Sequence, residues 1–110
     1  MSNRPIHLLL EDIFEAAEKV IRYTDGLAYE TFTKDDKSID AVVRNLEIIG
    51  EAVRRLPEDF KEKYPDVEWE KIVGLRHRIV HDYFGIDLEI IWRILQKDLP
   101  EFRNILAKLR

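Results

Sequence analysis

Four side chains within eight residues have the types and spacing to do chemistry: Arg76, His77, His81 and Tyr83. They sit in the run Gly74-Leu75-Arg76-His77-Arg78-Ile79-Val80-His81-Asp82-Tyr83-Phe84-Gly85, which holds two of the three histidines in the chain. An imidazole changes charge near neutral pH, so it can take up and return a proton in water. A guanidinium keeps its charge and presents a planar fork of donors that matches a phosphate or a carboxylate. A histidine beside arginines suits general acid–base work on a phosphodiester, with arginine stabilising charge on the phosphoryl oxygens.

Each of these residues also has a plainer reading. Arg76 falls inside an apolar stripe, and burying an unpaired charge is costly. A structural ion pair with Glu47, Glu51 or another acid would account for it. His77 and His81, four residues apart, could belong to a solvated helix face. They could instead begin a zinc site, but no third ligand is evident and no His-Glu-x-x-His pattern occurs. Neither a metal nor a cofactor is therefore expected. Tyr83 reads as a core aromatic with its hydroxyl at the edge, or as an exposed phenol that contacts substrate or accepts a modification.

The elements that must position these groups read as helices. Leu9, Leu10, Ile13, Ala16, Ala17, Val20, Ile21 and Leu27 recur at three- and four-residue spacing, which predicts a first helix near residues 6 to 24 with Gly26 as its stop. Residues 29 to 37 have no clear period and read as a loop or a short helical turn. Ser38 is placed as the cap of a second long helix, whose stripe is Ile39, Val42, Val43, Leu46, Ile49, Val53 and Leu56. Pro57 ends it. Gly50 inside this helix costs about 1 kcal/mol against alanine, which a close helix crossing would explain. A short helix over 58 to 64 precedes Pro65, and Asp66 is placed as the next cap.

Trp69, Ile72, Val73, Ile79, Val80, Tyr83 and Phe84 then predict a third long helix ending near Gly85. On that helix Arg76 and Tyr83 share one face, about 20° apart, and His77 and His81 share another. Arg76 and His81 lie roughly 140° apart, so one copy does not stack them. A second copy of the helix could bring both types together. Asp87 is placed as the cap of a further helix with Leu88, Ile91, Trp92 and Leu95 as its stripe. Pro100 either opens a last helix or kinks one continuous helix. The expected fold is all-α, a bundle of four or five helices in a single domain over residues 1–110.

The totals bound the function. The chain has 110 residues, 45% apolar and 36% charged, with a net charge of −4 and no cysteine. Disulfides and thiolate metal sites are excluded, and a reducing, cytoplasmic setting is expected. No signal-like leader opens the sequence and no apolar run approaches a membrane span. The acidic balance argues against a generic nucleic-acid coat but permits a local basic cleft, since Arg44, Arg54, Arg55, Arg76 and Arg78 crowd two segments.

Arg76-x4-His81-x-Tyr83 resembles the Arg-x4-His-x-Tyr signature of HepT-like proteins, a branch of the HEPN superfamily. The surroundings are similar too, in the blocks Asp40-Ala41-Val42-Val43-Arg44-Asn45-Leu46-Glu47-Ile48-Ile49-Gly50-Glu51-Ala52 and Trp69-x2-Ile72-Val73-Gly74-Leu75-Arg76. The resemblance covers nearly the whole chain. It implies a HEPN-type bundle whose two chains pair so that both motifs line one cleft. It further implies a metal-independent endoribonuclease toxin of a type VII-like toxin–antitoxin module, with tRNA and mRNA as candidate targets. His81 would be the general base or acid at the RNA 2′-hydroxyl and Arg76 the phosphate-binding group. His77, and the residue types of Asn45 and Glu51, fit secondary contacts in the cleft. The expected partner is a minimal nucleotidyltransferase antitoxin that attaches AMP to the motif tyrosine, here Tyr83. A non-catalytic dimeric HEPN module that binds nucleotide or protein is the competing expectation.

Overall fold

A computed structural model of the chain describes residues 4–81 and 85–109, apart from the side chains of Arg76, Ile79, Val80, His81 and Ile86. The central element is α3, Asp36–Arg55, against which α1, Ile6–Thr24, packs along its length. Both helices carry the apolar stripes that their sequences predict. Leu9, Leu10, Ile13, Ala16, Ala17 and Val20 of α1 are buried, as are Ile39, Val42, Val43, Leu46, Ile49 and Val53 of α3. Burial of such a stripe is what stabilises an amphipathic helix in a bundle. Gly26, at φ +77°, turns the chain after α1, a conformation that costs glycine little.

The segment between α1 and α3 contains α2, Tyr29–Thr33, a short turn of helix. It exists to bury Phe32, which is fully enclosed and stacks against Trp92 at 5.3 Å between ring centroids. The cap of α3 is Asp35 rather than Ser38. The Asp35 carboxylate accepts the Ser38 backbone N–H at 3.2 Å and the Ser38 hydroxyl at 2.8 Å. Asp35 is the better cap because its carboxylate satisfies an open N–H of the first turn, and Ser38 lies at the position that donates.

After α4, Glu58–Glu62, Asp66 sits in a turn and does not cap the next helix. That turn is held instead by Trp69, whose indole N–H donates to the carbonyls of Lys61 and Tyr64, both at 3.1 Å. Helix α5, Trp69–Val73, starts behind Glu68 with no side-chain cap. It crosses α3 at Gly50, where a β-carbon would lie 3.2 Å from the Ile72 carbonyl oxygen. The close crossing expected from a mid-helix glycine is therefore present.

The expected third long helix is the main correction. It breaks at Gly74 and resumes as α6, Leu75–Ile79. It then stops, and the backbone forms a minimal antiparallel pair of β1, Val80–His81, with β2, Gly85–Ile86, in the register Val80 to Ile86 and His81 to Gly85. Two physical features favour this. Ile79, Val80 and Ile86 are β-branched and prefer extended backbone, and Gly85 at φ +78° occupies a turn conformation. These four paired residues leave the fold all-α.

Asp87 caps α7, Leu88–Arg93, as expected, accepting the Ile90 N–H at 3.1 Å. The chain then stays helical to the end of α8, Leu99–Leu109, so Pro100 does not begin a separate helix. The widened π-turn Ile94–Asp98 lies immediately before it, and the Leu99 N–H reaches back to the Ile94 carbonyl. A proline cannot donate and its ring crowds the preceding turn, so a wider turn there relieves both conflicts. Among the described residues the bundle consists of the long helices α1 and α3, the broken pair α5 and α6, and the continuous helical run from α7 to α8, with α2 and α4 as short connectors. Helix α8 closes the bundle against α1, with Arg103 bonded to Glu18 at 2.8 Å. Among the described residues, no helix is long and apolar enough to cross a membrane.

Candidate active site

The motif occupies the junction of α6 and β1. Arg76, His77 and Arg78 follow one another on α6, and His81 is the second residue of β1. The helical-wheel angle between Arg76 and His81 therefore does not apply, because the helix ends at Ile79 between them. His77 and His81 likewise do not share a helical face, which removes the geometry that a two-histidine metal site on one helix requires. Tyr83 lies outside the described residues.

Three elements fix this junction. Helix α6 packs against both α3 and α7. The break at Gly74 is close, since a β-carbon there would lie 3.3 Å from the Glu70 carbonyl oxygen. Arg78 ties the other flank down, its guanidinium lying 3.6 Å from the Asp98 carboxylate in the π-turn. The sequence alone groups Arg78 with the arginines of a basic cleft. Its partner could not be foreseen, because Asp98 becomes available only where the π-turn places it.

His77 is exposed on α6. Asn45 is buried, and its amide donates to the Ala41 carbonyl one turn back at 2.8 Å. This bond stiffens α3 and satisfies a polar group that would otherwise be costly to bury. Glu51 is exposed and accepts hydrogen bonds from Arg54, which raises the Arg54 pKa above its ordinary value. That pairing engages Glu51, one of the acids that the sequence offered as a structural partner for Arg76. Glu51, Arg54, Arg44, Glu47 and Ile48 line an open groove of about 760 Å³ along α3, with Val73 of α5 on its wall. The groove thus runs beside the segment that leads into Arg76.

The fold is an all-α bundle that carries the Arg76-x4-His81 spacing across the junction of α6 and β1. The chain matches the family model described as "Ribonuclease HepT-like" over residues 13–109. It is 44% identical over 104 residues to a Methanocaldococcus jannaschii protein named "Putative RNase", an alignment spanning 94% of this chain and 95% of that one. It is 40% identical to the "Probable ribonuclease HepT" of Thermococcus cleftensis, spanning 92% of each chain. It is also 45% identical to a "Putative RNase" of Caldanaerobacter subterraneus, over 86% of this chain and 85% of that one. No solved structure matches the chain at a significant level. This chain belongs to the HepT-like ribonuclease family.

Proposed function

We propose that this chain is a metal-independent endoribonuclease of a toxin–antitoxin module, formed by a single HepT-like domain and acting at a cleft shared by two copies. The observation that carries the reading is the intact Arg76-x4-His81-x-Tyr83 motif at a junction held by α3, α7 and the Asp98 pair. The chemistry follows from the side chains. An imidazole of His81 takes the proton from an RNA 2′-hydroxyl, and the 2′-oxygen attacks the adjacent phosphorus. Arg76 binds the scissile phosphate and stabilises charge on its non-bridging oxygens as they become more negative. The 5′-oxygen leaves with a proton supplied by the second copy's imidazole. The products are a cyclic phosphate and a 5′-hydroxyl, so a 2′-hydroxyl is required and DNA is not a substrate.

In this reading His77 makes a secondary contact with RNA, while Glu51 and Asn45 shape the wall behind the cleft. Tyr83 is the acceptor for AMP from a nucleotidyltransferase antitoxin. An anionic adduct two residues from His81 would occupy the phosphate site and repel RNA. The test is a short RNA with a single 2′-deoxy position at the cut site. Cleavage of the all-ribo strand and none of the deoxy-substituted strand is expected. Equal cleavage of both would remove the mechanism. After co-expression with the antitoxin, mass spectrometry should find AMP on Tyr83, and an adduct elsewhere would remove the regulatory assignment.

A further inference from the structure

Beneath α5 and α6 the core is not filled. A cavity of about 200 Å³ lies among α3, α5, α6, the π-turn and α8. Its floor is apolar. Leu46, Ile49, Leu75, Ile94 and Phe102 line it, and all five are buried. Among the described residues no buried side-chain nitrogen or oxygen lacks a partner, so none in this floor calls for a bridging water. Apolar cavities of this order stay dry and take up hydrocarbon, and about 150 Å³ is enough for a benzene ring.

The mouth has a different character. Asp66, Glu68, Asp98 and Glu101 stand there against Lys71 and Arg78. Both bases are already engaged, Lys71 with Glu68 at 2.9 Å and Arg78 with Asp98 at 3.6 Å. Asp66 and Glu101 are exposed and make no ion pair among the described residues. A phosphate backbone selects a surplus of positive charge. Here the surplus is negative, so the cavity is not an arm of an RNA cleft. A cation at the mouth gains from both carboxylates. The π-turn serves both halves, giving Ile94 to the floor and Asp98 to the mouth. Widened turns of this kind are frequent at functional sites.

We propose that this cavity is a binding site for a small amphipathic amine, a hydrocarbon body of about one ring carrying a single ammonium group. The body fills the floor, and the ammonium lies at the mouth against Asp66 and Glu101. One wall is α6, where Leu75 immediately precedes Arg76. An occupant therefore touches the helix that carries the motif arginine. The binding does not depend on what that arginine does, and its test is made without RNA.

The full chain is titrated with phenethylamine, phenethyl alcohol and phenylacetate, which share a ring and differ in charge. Backbone amide shifts in NMR read both the affinity and the place. Phenethylamine should saturate a single site, move Leu75, Ile94 and Phe102, and bind about tenfold tighter than phenylacetate, with the alcohol between them. Asp66→Asn combined with Glu101→Gln changes only surface groups and should bring the amine down to the level of the alcohol. Ile105→Trp enlarges a half-buried lining residue on α8 and should abolish binding of all three in a chain that stays folded by circular dichroism. An amine that fails to saturate, or binds no better than phenylacetate, overturns the proposal. So does an amine that binds the carboxamide variant, or folded Ile105→Trp, as well as wild type. A chain that binds the amine but cuts no RNA keeps this site and removes the ribonuclease reading. A chain that cuts RNA without binding the amine does the reverse.

Discussion

Replacing Gly50 by alanine measures how tightly α3 and α5 cross. Two effects oppose each other. Alanine is favoured over glycine in a helix interior by about 1 kcal/mol. The added β-carbon would sit 3.2 Å from the Ile72 carbonyl oxygen and 3.6 Å from that of Val73. Both neighbours are backbone, so α5 must move by a few tenths of an ångström, and overpacking of this kind costs about 1–3 kcal/mol. The expected net loss is about 1 kcal/mol, a fall in Tm of roughly 4 °C for a chain of this size. Helix α5 leads directly into α6, so the same shift displaces Arg76. Small misplacements of positioning groups cost far more in rate than in stability. RNA cleavage at 25 °C, where the variant stays folded, should therefore fall by clearly more than the stability loss explains. Thermal unfolding and single-turnover cleavage read the two quantities separately. A variant that melts higher than wild type by the full helix gain and cleaves normally would refute the tight crossing and its link to the site.

Further expectations concern single elements. Phe32→Ala should cost about 3–5 kcal/mol in urea unfolding, because the ring is fully enclosed against Trp92; a loss below about 1.5 kcal/mol would show that the α2 region collapses to fill the gap. The Asp35 carboxyl is held below the usual carboxylate range, first by the Ser38 hydroxyl and then by its backbone N–H. A lowered native pKa stabilises the fold above the unfolded pKa, and that gain is lost as pH falls through the native one. The Tm gap between wild type and Asp35→Ala should thus be full at neutral pH and shrink well below pH ~4; a gap that persists undiminished in acid would contradict the cap. Arg78→Ala removes a half-exposed ion pair and should cost less than about 1 kcal/mol. A cleavage defect confined to KM would make Arg78 an RNA contact rather than a clamp on α6.

Much of the scaffold was legible because its helices are long and periodic. Helix α1 matches its expected bounds of 6 to 24, since six buried positions at helical spacing and a terminal glycine all point the same way. Gly50 gave its own packing reason in advance. The break in the third helix was not legible. Ile72, Val73, Arg76, Val80 and Tyr83 fit a 3.6-residue period, and a period alone does not distinguish a helix that continues from one that yields to β-branched residues. The signals were local: Ile79-Val80 next to each other, and Gly85 placed for a turn. Asp35 was missed as a cap because Ser38 is also a good capping type, and only the start of the helix decides between them. For the site, residue identities were readable at 76, 77 and 81. Their mutual geometry was not, because it depends on where α6 ends and on the π-turn that brings Asp98 to Arg78.

The central claim is that Arg76 and His81 together make this chain a ribonuclease. The most direct measurement is cleavage of tRNA and mRNA by the purified chain in EDTA, beside Arg76→Ala and His81→Ala. Robust cutting by wild type that both substitutions abolish, with folding intact by circular dichroism, is the predicted result. Wild-type protein that cuts no better than either variant would contradict it.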